Sequence, residues 1–234
     1  MDAAEAARVR IISIKTEFDT LKNVTSTADL ALNLALTGVR KSFESTNDFF
    51  EDGTWDFERY IGKQIKDLNV CVFGYGRLGK MFSNYMSALG AKITIVDPKL
   101  SLNFDEDLDY TLKNLADIDL ISIHVHAEGN INFFGSEFFT KARCDVVIVN
   151  TSRGEVIDED ACFNFLKKSP RARYITDVIP DEYSLSSRQK YIDFYHQYRN
   201  LIVTQHIGGM STGARQLAFG KAITKLEEAI KNAT

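Results

Sequence analysis

Cysteine is scarce in this chain: Cys71, Cys144 and Cys162 are the only three among 234 residues. They form no cysteine or histidine cluster with zinc spacing. All three stand in apolar strand-like or helical contexts, so we read them as buried thiols in a reducing, cytoplasmic setting. No run of about 18 apolar residues exists, so nothing in the pattern spans a bilayer. The opening residues, MDAAEAARVR, are acidic and alanine-rich and lack the apolar core of a signal peptide. Charge of one sign is also lacking: a net charge of −4 gives no electrostatic ground for binding nucleic acid. There is no internal repeat and no low-complexity linker. What remains is an ordinary globular composition, 44% hydrophobic and 26% charged. The length suits one large domain, or one domain plus a fragment.

The most informative stretch is NVCVFGYGRLGK, from Asn69 to Lys80. An apolar run meets Gly74, Gly76 and Gly79, and a helix-like segment follows. Strand, tight turn and helix N-terminus come in the order that a dinucleotide site requires. Gly74 permits the turn, Gly76 lets the backbone approach a pyrophosphate, and Gly79 lets helix pack close to strand. The free N–H groups and dipole at the helix start favour the phosphate charge. A second strand, AKITIV, ends at Asp97, 18 positions after Gly79. A carboxylate there accepts from both ribose hydroxyls and repels a 2′-phosphate, which favours NAD over NADP. The plain alternative is a turn aspartate before Pro98.

The rest of the chain alternates. Residues 8–14 read as a short strand, and 28–43 as a helix apolar around much of its circumference, buried between domains or subunits. Residues 44–66 are more polar and hold the only tryptophan, Trp55. Strands are expected at 70–73, 92–96, 120–124, 145–150, 174–178 and 201–204. Helices are expected at 77–88, near 110–116, at 136–142, 158–167 and 184–200, and finally at 212–231. This alternation predicts an α/β fold, a doubly wound parallel sheet whose ligands sit at the carboxyl ends of its strands.

Three of those strand ends carry candidate chemistry. Arg153 follows the fourth, Glu182 the fifth, and His206 the sixth, before Gly208 and Gly209. An arginine fork can hold a carboxylate, and a histidine backed by a carboxylate can take and return a proton. Taken singly, each also reads as an ordinary loop residue.

In order and spacing, NTSRGEVIDEDA, DVIPDE and HIGGMSTGA resemble the arginine, acid and histidine motifs of the D-isomer-specific 2-hydroxyacid dehydrogenase family. TSTADLALNLALTGVR resembles the helix that crosses between that family's domains. The resemblance implies a Rossmann-type sheet and hydride transfer between NAD and a 2-hydroxyacid or 2-oxoacid. It makes His206 the acid/base, Glu182 its partner and Arg153 the substrate anchor. It also places Arg77 and Leu78 at the pyrophosphate, and Val125, Thr151 and Asp177 along the cofactor, with Asp177 at the nicotinamide amide. His124 and His126 lie close to that path. A homodimer is implied, paired through the crossing helix and its flanking arms.

The chain departs from the family at its start, where earlier βα units of a substrate domain are missing. Residues 1–48 then read as a remnant of that domain plus the inter-domain helix. Residues 49–210 read as the NAD-binding domain, and 211–234 as a C-terminal helix returning to the substrate side. After its first strand the chain offers Lys15, Thr16, Glu17 and Phe18, without the family's glycine loop. His126, Tyr183 and Gln205 stand where the family usually has proline. An aromatic insert, YIDFYHQY, separates the acid from the histidine. The competing expectation is a weak or inactive NAD-binding sensor, like the related transcriptional corepressors.

Overall fold

The computed structural model describes residue 7, residues 9–100 and residues 104–232. The chain forms two compact units, one of Met1–Thr27 with Gly209–Thr234 and one of Ala28–Gly208. The second is built on six parallel strands: β1 (Asn69–Phe73), β2 (Lys92–Val96), β3 (Leu120–Ile123), β4 (Val147–Asn150), β5 (Arg173–Thr176) and β6 (Leu201–Val203). Their order is β2-β1-β3-β4-β5-β6. The order reverses between β1 and β3, which makes a crevice at their carboxyl ends.

Period-two geometry sorts the strand residues between two cores. Cys71, Phe73, Ile121, Ile148 and Tyr174 face one side. Val70, Val72, Val147, Val149 and Ile175 face the other. Helices cover both faces, so the strands are apolar throughout rather than alternating with polar residues. On the second side pack α2 (Ser26–Arg40), through Ala31, Leu34, Ala35 and Val39, and α4 (Arg77–Ala88), through Phe82 and Met86. Gly38 brings α2 down onto the sheet: a Cβ there would lie 2.6 Å from side-chain atoms of both Val147 and Ile175. The first core is closed by α5 (Phe104–Lys113), through Leu108 and Leu112, and by α6 (Ser136–Lys141), α7 (Glu159–Lys168) and α8 (Leu185–Tyr198).

The amino edge of the sheet is tied by Asp119, almost fully buried. Its carboxylate accepts from the Asn69 N–H at 3.0 Å, from Lys63 Nζ at 2.6 Å and from Arg143 Nη1 at 2.7 Å. In the smaller unit, α1 (Phe18–Leu21) and α9 (Thr212–Lys231) are linked through Glu17. It pairs with Lys225 at 2.7 Å and Lys221 at 3.1 Å, which hold its carboxyl below the usual range.

Several expectations change. Residues 9–14 form no strand, and Arg8 lies outside the described residues. The described remainder of that unit is helix and turn, so an extended segment finds no ladder partner. Residues 42–52, read as polar chain, form α3 (Ser42–Asp52). Cys144 is exposed, because it lies in the turn before β4 rather than within it. Cys71 and Cys162 are buried as expected, and burial pushes the Cys71 thiol up to about 12. The apolar face of α2 is covered by the sheet of the larger unit, so residues 28–40 group with the nucleotide-type fold. The aromatic insert is core: Phe194 stacks on Phe163 at 4.4 Å and Tyr191 meets the same ring edge-on at 5.2 Å.

β3 hands over to His124, whose N–H donates to the Phe73 carbonyl at 2.7 Å. Its Nε2 lies 2.9 Å from the Ser122 hydroxyl, and its ring lies 5.3 Å from that of Phe82. Burial pushes its pKa down to about 4, so it is neutral near pH 7. The folded state therefore takes up this proton later than the unfolded chain does. The contribution is complete above the unfolded value of 6.5 and is lost as pH falls toward about 4. Between pH 7 and pH 4, His124→Gln should lose less unfolding free energy than the parent, by up to about 3 kcal/mol in urea titrations. A second expectation concerns the glycines. A Cβ at Gly79 would lie 2.0 Å from the Gly74 carbonyl oxygen, whereas one at Gly76 meets nothing within 4 Å. Gly79→Ala should cost about 1–3 kcal/mol by chemical denaturation, outweighing the helical preference for alanine. Gly76→Ala should keep stability within about 0.5 kcal/mol.

Candidate active site

The turn after β1 is shaped by close backbone approach. Gly74 takes φ +91°. A Cβ there would sit 2.7 Å from the His124 carbonyl oxygen and 3.0 Å from the Val125 nitrogen. The strand ends of β1 and β3 can therefore touch only if residue 74 has no side chain. The Gly74 N–H donates to the Val96 carbonyl at 2.8 Å, which binds the same turn to β2. Gly76 is the N-cap of α4 in extended conformation, with no side-chain cap. The first N–H groups of α4 and the space in front of Gly76 form a cradle for an anion.

Asp97 organises that turn. One carboxylate oxygen accepts from the Tyr75 N–H at 2.7 Å and the other from the Lys99 N–H at 2.8 Å. A carboxylate accepts about four hydrogen bonds, so capacity remains for a ligand's hydroxyls. Arg77 and Leu78 open α4, both partly buried, and burial lowers the Arg77 pKa. Thr151, after β4, is buried, and its hydroxyl has no hydrogen-bond partner among the described residues. An open cradle, a carboxylate with spare lone pairs and an orphaned hydroxyl on one sheet edge all fit a dinucleotide.

The three further turns leave the same edge. Asn150 shapes the first: its side-chain oxygen accepts from the Ser152 N–H and hydroxyl at 3.0 and 2.8 Å, and its amide donates to the Arg153 carbonyl at 2.9 Å. Arg153 is exposed, and its Nη1 donates to the Ser152 carbonyl at 2.6 Å. Gly154 lets this turn lie against the next, since a Cβ there would be 2.2 Å from both the Ile179 carbonyl carbon and the Pro180 nitrogen.

The next two turns meet in an acid–histidine pair. Both Glu182 oxygens lie 2.8 Å from His206 Nδ1, which leaves Nε2 for a reacting group. Asp181 and His206 both adopt left-handed backbone, with φ of 45° and 52°. Strain of this kind persists only where surroundings enforce it, and it clusters at active sites. At His206 the enforcement comes from Asp177, which is 2% exposed. It accepts from the Thr204 hydroxyl at 2.5 Å, the Ile207 N–H at 2.9 Å and the Gly208 N–H at 2.7 Å. Its own N–H donates to the Asn150 carbonyl at 2.9 Å.

The structure thus joins Gly74, Gly79, Val125 and Asp97 around one turn. It joins Thr151, Asp177, Glu182 and His206, with the Arg153 turn packed beside them, around the others. His126 and His196 are exposed on the surface. Sequence reasoning missed Asn150 and Thr204 as residues that hold these turns. Asn150, closing an apolar strand just before the Ser-Arg-Gly turn, was the available signal.

The family model for the NAD binding domain of D-isomer specific 2-hydroxyacid dehydrogenases matches residues 32–208. A D-3-phosphoglycerate dehydrogenase of Archaeoglobus fulgidus is 27% identical over 208 residues, which is 87% of this chain and 38% of the relative. A D-lactate dehydrogenase of Lactobacillus delbrueckii subsp. bulgaricus is 34% identical over 131 residues, 52% of this chain and again 38% of the relative. The chain therefore spans about two fifths of the length of these relatives. In fold it resembles the D-lactate dehydrogenase of Aquifex aeolicus, solved with NAD and lactic acid. The TM-score is 0.82 at 20% identity, over 99% of this chain and 72% of that one. The chain belongs to the D-isomer specific 2-hydroxyacid dehydrogenase family, and carries that family's NAD-binding domain.

Proposed function

We propose that this chain transfers a hydride between NAD and a 2-hydroxyacid or 2-oxoacid, with His206 as the acid/base. The observation that carries the reading is the His206–Glu182 pair, both carboxylate oxygens 2.8 Å from Nδ1 on the sheet edge that bears the glycine turn. NAD, when bound, supplies the hydride acceptor or donor at its nicotinamide ring. The N–H groups at Gly76, Arg77 and Leu78 hold its pyrophosphate, and Asp97 its ribose hydroxyls. Val125, Thr151 and Asp177 line the remainder of its path. Glu182 fixes the Nδ1–H tautomer of His206 and stabilises the charged ring. Nε2 then takes the proton from a substrate hydroxyl, or returns it to a carbonyl oxygen. The Arg153 fork holds the substrate carboxylate and polarises the neighbouring oxygen. Asp177 positions His206 through the turn that follows it.

In domain terms, we assign residues 28–208 to the NAD-binding domain, with 1–27 and 209–234 as the substrate-side remnant and returning helix. We place the protein in the cytoplasm, consistent with its unpaired cysteines and with the absence, among the described residues, of a helix long and apolar enough to cross a membrane. We also propose a homodimer. Phe50, Trp55 and Phe57 are 80%, 85% and 76% exposed, a concentration of aromatic surface just after α2. Such a patch suits a second copy of the chain.

Purified protein should oxidise NADH with a short 2-oxoacid. His206→Ala should lower kcat by about 10²- to 10⁴-fold and leave NADH affinity unchanged. Gly76→Ala should weaken NADH binding by about tenfold or more, equivalent to about 1.4 kcal/mol, while remaining folded. NADH binding without turnover across a broad 2-oxoacid panel would make the chain a cofactor sensor instead. Light scattering after size exclusion should give a dimer, and Trp55→Glu should shift it to monomer.

A further inference from the structure

The amino edge of the sheet, opposite the glycine turn, contains a cavity of about 300 Å³. Lys41, Lys63, Arg171 and Arg173 line it, against only Asp119 and Asp145. Asp119 is already engaged by Lys63 at 2.6 Å and by Arg143 Nη1 at 2.7 Å, and Asp145 by Arg143 Nε at 2.6 Å. Arg173 pairs with Glu44. Lys41 donates to the Arg59 carbonyl at 3.3 Å, and Arg171 Nη2 lies 3.6 Å from the Cys144 sulfur. Among the described residues, neither has a carboxylate within salt-bridge distance.

The walls are brought together by close contacts that leave the cavity little freedom. Gly38 has no room for a Cβ against Val147 and Ile175, and a Cβ at Gly62 would lie 2.4 Å from the Val39 carbonyl oxygen. Lys41 itself holds left-handed backbone, φ 54°, between α2 and α3. Burial lowers its pKa; the nearby Arg173 and Arg171 charges add to this, while Glu44 and Asp145 oppose it.

We propose that this amino-edge cavity is a second ligand site, for a phosphate-class dianion such as free phosphate or a small phosphomonoester. Guanidinium forks and ammonium groups match the charge and the acceptor oxygens of such a group. The lining carries four cations against two acids, a balance of +2 that a dianion cancels. The volume is at the small end for ligand sites and suits a compact molecule.

Inorganic phosphate should be titrated against the melting temperature, with ionic strength held constant by potassium chloride. The Gly76→Ala background removes any contribution from phosphate at the glycine turn. A saturable rise is expected, and a second titration with glycerol phosphate distinguishes ester from free anion. Arg171→Gln should abolish the rise. So should Lys41→Asn, chosen because asparagine tolerates left-handed backbone. On the parent background, NADH affinity should be unaltered in both variants. A phosphate response no larger than that to chloride, or one unchanged in both variants, would overturn the proposal.

Discussion

The buried carboxylate of Asp177 is the constraint on which the reacting edge depends. A carboxyl group so far from water is tolerated only when its polar atoms find hydrogen-bond partners. The hydroxyl of Thr204 and the N–H groups of Ile207 and Gly208 are those partners. To present both amides to one carboxylate, the chain after β6 must double back, and His206 takes the left-handed conformation at that bend. His206 is therefore aimed by a contact that its own side chain does not make. Because Asp177 also hydrogen-bonds Asn150, the Arg153 turn is referenced to the same point. Three turns from different parts of the sequence share one anchor.

The glycine turn is held by a different logic. Gly74 and Gly79 are fixed by what surrounds them, with backbone atoms where a Cβ would stand. Gly76 is fixed by nothing in the protein, and its open space is meaningful only if something else approaches. The two kinds of glycine separate fold from binding within six residues. Asp97 connects them, because the oxygen that holds the Tyr75 N–H is attached to the carboxylate offered to a ribose.

Much of this was legible in the sequence. The six strands were readable because each is an apolar run bounded by a turn, and the parallel order follows from the intervening helices. Arg153, Glu182 and His206 were readable because a parallel sheet puts every strand end on one edge. The false strand at residues 8–14 had the right residue types, but a strand also needs a neighbour, which periodicity does not report. α3 was missed because its face is mostly polar, so the apolar spacing is weak. The burial of Asp177 was hidden because its partners lie about 30 residues away. The amino-edge cavity was hidden for the same reason: its lining is gathered from residues 38–68 and 119–173.

The polarity of the sheet explains why its two edges differ. Helices that connect parallel strands run back across the sheet, so their N-termini face the carboxyl edge and their C-termini the amino edge. The first arrangement aims free N–H groups at an anion without using any charged side chain. The second leaves carbonyls that favour cations: Arg40 closes α2, Lys141 closes α6, and Lys167 and Lys168 close α7. Helix dipoles account for cations in those last turns. They do not account for Arg171, which lies beyond α7 and lines a cavity with Lys41 at the junction of α2 and α3. An anion held at the glycine turn relies on the partial charges of fixed backbone N–H groups, whereas one held at the amino edge relies on full side-chain charges partly open to solvent. Salt screens the second far more than the first. One fold thus offers two anion sites of opposite construction, and their salt dependence tells them apart.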